Sequence, residues 1–86
     1  MMPGMTLSAG RDATNDIFTP DVDISRQAAI FRADSTKVTV TDLSTTNGVY
    51  VNDERIPSGQ TVTLKDKDIV RISGNYTLVF HSLRTK

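Results

Sequence analysis

The sequence contains no cysteine and only one histidine among its 86 residues. Without cysteine there is neither a disulfide scaffold nor a thiolate metal site, and this composition fits a cytoplasmic protein. One histidine and no paired acidic constellation leave no nucleophile–base pair. His81, in an apolar segment near the end of the chain, is expected to lie on a strand face, since nothing offers it metal-binding partners. We therefore expect a protein that is not an enzyme and that has no cofactor or metal site.

The net charge of the chain is zero, because ten basic residues are balanced by ten acidic ones. No global field draws the chain to nucleic acid or to a membrane surface, so any anion recognition must come from a local site. No apolar run approaches the roughly 20 residues of a membrane span. The first residues lack the charged and apolar regions of a signal peptide.

Short segments with a period of two residues dominate what is present. The clearest covers residues 37–43, in which Val38, Val40 and Asp42 alternate with Thr39, Thr41 and Leu43. Residues 27–33 have some helix propensity, but they number only seven and are closed by Asp34-Ser35, so the pattern favours a strand. Turn signals recur about every 8–12 residues and separate roughly eight to ten such segments, which is typical of an antiparallel sandwich or barrel.

One polar loop separates two apolar segments within residues 42–52. Asn47-Gly48 in this loop is a strong turn signal, because Gly48 accepts positive φ and Asn47 tolerates it. The hydroxyl and amide side chains crowded into this loop are also suited to binding an anion.

Three loops together hold the groups that an oxyanion requires: Gly10-Arg11, Ser25-Arg26 and residues 44–48. A phosphate is bound best by a guanidinium, whose planar fork donates two parallel hydrogen bonds, together with hydroxyl and backbone donors. The spacing alone leaves other interpretations open. Arg11 could pair with Asp12 or Asp16, Ser25 could cap its own backbone, Arg26 could be solvated, and Thr46 with Asn47 could simply build the turn.

The order of these motifs resembles the forkhead-associated (FHA) domain family. The resemblance is carried by Gly10-Arg11, by Ile24-Ser25-Arg26, by residues 42–52 (Asp-Leu-Ser-Thr-Thr-Asn-Gly-Val-Tyr-Val-Asn) and by residues 64–72. It implies an all-β, antiparallel β-sandwich of the FHA/SMAD type with about 10–11 short strands. Residues 1–86 would form a single domain, with the motifs in residues 7–83 and disordered tails at residues 1–4 and 84–86.

The resemblance also implies a function and roles for individual residues. FHA domains bind phosphothreonine peptides through loops at one end of the sandwich. Carried over by position, the phosphopeptide-binding residues are Arg11, Ser25, Arg26, Thr46 and Asn47, and the turn-forming residues are Gly10, Gly48 and Asn52. Asp23 is a specificity residue, which predicts tolerance of, or preference for, a basic side chain three residues after the phosphothreonine. The partner would be a phosphothreonine-containing protein, bound in phosphorylation-dependent signalling or regulation.

The sequence departs from the family pattern at three positions. Ala28 stands where the family usually carries a histidine that braces the loops, and Lys67 and Ser73 stand at turn positions that are usually glycine. The alternative function is therefore a structural or oligomerisation module that has lost or weakened phosphate binding.

The segment before Gly10-Arg11 is also short compared with the family, which places another strand there. Either the chain is trimmed, or the edge formed by residues 76–83 pairs with another copy of the chain. An uncovered edge strand favours such pairing, so a homodimer through this edge is a second expected partner.

Overall fold

The computed structural model describes residues 4–20, 24–43, 47–73 and 76–81. These residues contain nine strands and no helix, so no helix among them could cross a membrane. In chain order the strands are β1 (Thr6–Gly10), β2 (Ile17–Phe18), β3 (Ala29–Ala33), β4 (Val38–Asp42), β5 (Val49–Val51), β6 (Glu54–Arg55), β7 (Thr61–Leu64), β8 (Ile69–Ile72) and β9 (Tyr76–Val79). The turn signals predict roughly eight to ten strands and the family resemblance implies about 10–11; the described residues contain nine.

The strands form two sheets, which confirms the predicted β-sandwich. The first has the order β2-β1-β3-β4-β7 and the second has the order β6-β5-β8-β9. Every neighbouring pair is antiparallel except β1 and β2, which are parallel. The edges of the two sheets are therefore β2 and β7 in the first, and β6 and β9 in the second, within the described part of the chain.

The parallel pairing of β2 with β1 is the one feature of the sheets that the antiparallel prediction misses. It follows from contacts between Ser8 and Asp16 at the end of the loop that joins the two strands. Asp16 Oδ2 accepts hydrogen bonds from Ser8 N at 2.9 Å and Ser8 Oγ at 3.3 Å. These contacts hold the start of β2 alongside the middle of β1, so that Ala9 faces Ile17 in the register.

The predicted alternation in residues 27–33 is confirmed as strand β3. Ala29, Phe31 and Ala33 are buried, whereas Arg32 on the opposite face is exposed. This is the burial pattern of a strand with one face on the core. The core between the two sheets is built from small and medium apolar side chains contributed by both: Ala9, Ile24, Ala28, Ala29, Phe31, Val40, Val49, Val51, Ile56, Leu64, Val70 and Ile72.

Turns of the second sheet carry four non-glycine residues with positive φ among the described residues. Three of them lie in two turns at the end of this sheet that is remote from Gly48. Asn52 and Asp53 form the two-residue turn of the hairpin that joins β5 to β6. Their φ values of 51° and 69° meet the requirement of a type I′ turn, which needs positive φ at both residues. Lys67, before β8, has φ of 71°, and its N–H donates to Phe80 O at 2.7 Å. Ser73, which follows β8, has φ of 61°. The two positions at which the sequence departs from the family's glycines are thus both left-handed.

Replacing Lys67 with glycine should raise the free energy of unfolding by about 0.5–1 kcal/mol. The left-handed region costs a residue with a side chain about 1–2 kcal/mol, and the larger chain entropy of unfolded glycine cancels part of that gain. Urea denaturation measures the change. Lys65→Gly is the matched control, because Lys65 lies in the same turn and is not among the positive-φ residues. If both glycines stabilise equally, the left-handed backbone is not the cause.

Candidate functional site

The sheet register brings the predicted loops to one end of the sandwich. Ala9 at the end of β1 is paired with Ala29 at the start of β3, and Ala29 is paired with Asp42 at the end of β4. The segments that follow β1, precede β3 and follow β4 must therefore leave the sheet at the same end of its strands. The third of these segments crosses to the second sheet, where β5 begins at Val49. Gly10-Arg11, Ser25-Arg26 and Asn47-Gly48 are thus gathered at this end.

Backbone hydrogen bonds join the first two segments directly. Arg11 N donates to Ser25 O at 3.0 Å, and Asp12 N donates to Arg26 O at 3.2 Å. In addition, Arg11 Nε donates to Ile24 O at 3.0 Å. One edge of the Arg11 guanidinium is therefore fixed by the segment that carries Ser25, while the residue as a whole is exposed.

The two carboxylates that could have paired with Arg11 are held by other groups. Asp16 is bound by Ser8, as described above, and Asp12 Oδ1 accepts hydrogen bonds from Thr14 N and Thr14 Oγ1, both at 3.0 Å. The Thr14 N–H is the main cause that lowers the pKa of Asp12, and the nearby Arg26 and Arg11 add smaller contributions. Asp12 is thus an anion whose carboxylate organises its own turn beside Arg11.

Gly10 permits the close approach of these two segments. A Cβ atom at this position would lie 2.2 Å from Arg26 O and 2.8 Å from Gln27 Cα. Both are backbone atoms, so no side-chain rotation could relieve the clash. The need for glycine before Arg11 is therefore steric, since Gly10 is not among the residues with positive φ.

Ser25 and Arg26 contribute to the site in two ways. Their carbonyl groups receive the hydrogen bonds from Arg11 and Asp12, which sets the distance between the segments. Ser25 is partly buried, and Arg26 is exposed. Each residue therefore fixes the loop through its backbone and has a side chain at or near the surface.

Asn47 and Gly48 lie on the other side of this end, where the chain enters β5. Asn47 is exposed, and Gly48 has φ of 87°. Gly48 O accepts a hydrogen bond from Ser73 N at 2.9 Å, which ties this loop to the end of β8. Thr46 and Asp23, for which the family resemblance predicts roles, lie outside the described residues.

Asn52 is remote from these loops, at the opposite end of β5. Its Nδ2 donates to Asp68 Oδ1 at 2.9 Å, and its Oδ1 accepts from Ile69 N at 2.9 Å. The pKa of Asp68 is lowered first by the N–H of Lys65 and next by the Asn52 amide. Asn52 therefore joins two turns of the second sheet and lies apart from the Gly-Arg and Ser-Arg segments.

His81 lies beyond the end of β9 and is exposed, so the predicted strand-face position is wrong for this residue.

Asn15 is a residue of this end that sequence reasoning missed. Its Nδ2 donates to Arg26 O at 2.7 Å and to Asp12 O at 2.8 Å, and the side chain is only 7% exposed. One buried amide thus links the Gly-Arg and Ser-Arg segments. The only signal in the sequence is an amide residue in a polar loop, a pattern too common to single out Asn15.

Ala28 is fully buried directly beneath these segments. Its N–H donates to Ala9 O at 2.7 Å, and its carbonyl accepts from Leu43 N at 3.0 Å. The methyl side chain offers no hydrogen bond to the loops above it. The bracing expected of a polar residue at this position is therefore absent, and Asn15 supplies side-chain hydrogen bonds between the same loops from another point.

The family comparison agrees with this geometry. The family model described as "FHA domain" matches residues 7–73, which include the Gly-Arg, Ser-Arg and Asn-Gly segments. The chain belongs to the FHA domain family. Its β-sandwich is similar to the solved structure of an FHA domain from Chlamydia trachomatis, with a TM-score of 0.77.

Curated proteins and solved structures similar to this chain agree with the family assignment. The glycogen accumulation regulator GarA of Mycolicibacterium smegmatis is 43% identical over 75 residues, which cover 87% of this chain and 45% of GarA. EmbR of Mycobacterium tuberculosis, solved in complex with a low-affinity phosphopeptide, is 36% identical with a TM-score of 0.81, over 88% of this chain and 19% of EmbR. A structure solved for phosphothreonine-dependent FHA domain interactions is 28% identical with a TM-score of 0.80, over 96% and 83% of the two chains. This chain spans about half the length, or less, of the curated relatives that it matches.

Replacing Asn15 with alanine should loosen the contact between the two segments and lower the stability by about 1–2 kcal/mol, since a buried side chain loses two hydrogen bonds to carbonyl groups. Amide hydrogen exchange should become faster at Arg11 and Asp12, whose N–H groups bridge to the Ser-Arg segment. Asn52→Gly is the matched control, because it also removes an amide with two hydrogen bonds but fits the positive φ. Exchange at Arg11 and Asp12 should not change in the control. If Asn15→Ala leaves it unchanged too, Asn15 does not hold the segments together.

Proposed function

We propose that this chain is a non-catalytic module that binds phosphothreonine peptides and so mediates phosphorylation-dependent contacts between proteins. The phosphate would be held by Arg11, Ser25 and Arg26, with Thr46 beside it. Asn47 would hold the backbone of the peptide through its amide. Gly10 and Gly48 would shape the two walls of the site, and Asn52 would support the second sheet at a distance.

The position of the Arg11 side chain is the observation that carries this proposal. A hydrogen bond from Nε to Ile24 O orients the guanidinium while the residue stays exposed. The atoms of the fork beyond Nε then lie next to the segment that carries the Ser25 hydroxyl. A phosphate dianion suits this arrangement, because charge-assisted bonds from a guanidinium are about twice as strong as neutral ones.

Preorganisation adds to the effect of charge. The backbone of the Gly-Arg segment is already hydrogen-bonded to Ser25 O and Arg26 O, and the Asn15 amide joins them from below. The loops are therefore already ordered in the folded domain, and binding loses less conformational entropy than it would if they became ordered only with the peptide. This supports recognition by a chain whose net charge is zero and which cannot depend on long-range attraction.

The comparisons support the same proposal. EmbR was solved with a phosphopeptide, and another similar structure concerns phosphothreonine-dependent interactions of FHA domains. GarA is named as a regulator, in agreement with a role in signalling rather than in catalysis.

We further propose that the module acts in the cytoplasm, because a chain without cysteine needs no oxidising environment.

A second candidate function is oligomerisation through an edge of the second sheet. β9 pairs only with β8 among the described strands, and Val79 on it is 50% exposed. The backbone groups along its other side are available to a strand of a second copy of this chain. Loss of the bracing side chain at Ala28 favours this candidate, because it weakens the argument for a phosphate site.

Arg11→Ala should weaken the binding of a phosphothreonine peptide by about 10-fold to 100-fold, since each charge-assisted hydrogen bond contributes roughly 1.5–3 kcal/mol. Isothermal titration with the phosphorylated and unphosphorylated forms of one peptide measures this. Arg32→Ala is the matched control, because Arg32 is an exposed arginine on β3 outside the site. Binding that does not depend on the phosphate, or that survives the loss of Arg11, would disprove the proposed function.

Oligomerisation predicts a molar mass that rises with protein concentration in gel filtration with light scattering. Val79→Lys should restore the monomer, because a charged side chain on an edge strand opposes pairing. Phe18→Lys is the control, since Phe18 is equally exposed but lies on β2, an edge of the other sheet. A monomer at all concentrations argues against pairing through β9.

The specificity role of Asp23 remains a prediction about the third residue after the phosphothreonine. A carboxylate at this place would favour a basic side chain in the peptide. In a peptide array, a strict acidic preference at that position would refute it.

A further inference from the structure

The outer face of the second sheet carries two arginines on either side of a tyrosine. On β5, Val49 and Val51 are buried and Tyr50 between them points outward. Tyr50 is paired in register with Arg55 on β6 and with Arg71 on β8. Three side chains from adjacent strands therefore form a guanidinium–ring–guanidinium row, which we call the Arg–Tyr–Arg surface.

The Arg71 guanidinium lies over the ring of Tyr50. Arg71 Cζ lies 4.3 Å from the ring centroid. Stacking occupies one face of the guanidinium and leaves its edges directed at solvent, where they can donate to a carboxylate. Arg71 is 33% exposed, and its Nη2 lies 3.5 Å from Asp53 Oδ1.

The contact with Asp53 shows which chemical group this surface accepts. Asp53 is 93% exposed, so the pair is screened by water and contributes little to stability. A carboxylate from another molecule could replace that of Asp53 at small cost. The surface is therefore suited to an acidic side chain.

Arg55 connects the Arg–Tyr–Arg surface with the end of the sandwich that carries the phosphate site. A Cβ atom on Gly48 would lie 2.8 Å from Arg55 Nε and 3.2 Å from Tyr50 Cε1. Both side chains thus pack along the backbone of the Asn47-Gly48 loop. A peptide held by Asn47 would pass beside the Arg55 guanidinium.

We propose that the Arg–Tyr–Arg surface binds acidic side chains that flank the phosphothreonine of the same peptide. The inference rests on the proposed function, because the phosphothreonine brings the flanking residues to Asn47. Arg55 is the specificity-determining residue, and Arg71 with Tyr50 extends the contact across the sheet. The acidic residue occupies a position other than the third after the phosphothreonine, for which Asp23 is the predicted specificity residue.

The experiment uses one phosphothreonine peptide with neutral flanks and a set in which a single aspartate is moved through the flanking positions. Each peptide is titrated in phosphorylated and unphosphorylated form against the whole chain and its Arg55→Gln and Arg71→Gln variants. Arg32→Gln is the matched control, because it removes an exposed arginine from the other sheet. Thermal unfolding of each variant verifies that it is folded at the temperature of the titration.

With the unmodified chain, aspartate at one or more flanking positions should increase the affinity by about 3-fold to 10-fold, and the gain should decrease at high salt. Arg55→Gln should reduce the gain below about 2-fold, Arg71→Gln should reduce it in part, and Arg32→Gln should leave it intact. Arg55→Glu should reverse the preference, so that lysine at the same position binds more tightly than aspartate.

Three results overturn the inference, and they can be distinguished. If the neutral peptide binds regardless of its phosphate, the proposed function fails and the inference fails with it. If binding depends on the phosphate but no aspartate increases it, the inference alone fails. If the gain persists in both Arg55→Gln and Arg71→Gln, acidic residues are bound elsewhere on the chain.

Discussion

The carbonyl group of Arg26 is the point on which the loops of this domain depend. It accepts the N–H of Asp12 and the side-chain amide of Asn15, and it lies so close to Gly10 that a Cβ atom there would overlap with it. A carbonyl oxygen has two lone pairs, and both are used here. The Gly-Arg and Ser-Arg segments are therefore fixed to one another by backbone atoms, and the exposed side chains of Arg11 and Arg26 extend from a rigid base.

This arrangement separates the requirements of folding from those of recognition. The buried core cluster of the described residues consists of alanine, valine and isoleucine side chains with Leu64 and Phe31, so it fixes the strands without any polar group of the site. The loops are held by hydrogen bonds between backbone groups and by one buried amide, that of Asn15. Because Arg11 contacts Ile24 O through Nε, the Nη atoms of its guanidinium are left for recognition while backbone atoms and the Asn15 amide hold the loops.

Much of the fold could be predicted from the sequence because its signals are local. The period of two in residues 37–43 and 27–33 gives strands β4 and β3, and Asn47-Gly48 marks a turn whose glycine has positive φ. The location of the site could also be inferred, because resemblance to a family places its motifs in a known order. By contrast, the parallel pairing of β2 depends on a contact between Ser8 and Asp16, and no periodicity records such a contact.

The role of Asn15 could not be predicted for the same physical reason. An amide in a polar loop is usually solvated, and only the fold places Asp12 O and Arg26 O within 2.8 Å of this one. The left-handed backbone of Lys67 and Ser73 likewise follows from the tight turns around β8 rather than from residues that prefer it. Sequence reasoning identifies the residues that a family uses for chemistry, but it does not identify those that a particular chain uses to hold them.

The distribution of strain in the molecule has a consequence for the site. The left-handed Lys67, Asn52 and Asp53 lie at the end of the second sheet away from Asn47. At the binding end, Gly10 avoids a steric clash and Gly48 has a positive φ without a side chain, but the left-handed Ser73 also lies there and donates to Gly48 O. Strain of about 1–2 kcal/mol per left-handed residue is a sizeable fraction of the stability of a domain this small. Because Lys67 lies away from the loops, relieving its strain would stabilise the sandwich without altering the arrangement of Arg11, Ser25 and Asn47. The binding end is thus the part of the fold with the least freedom to change, since its geometry depends on backbone contacts that only glycine allows.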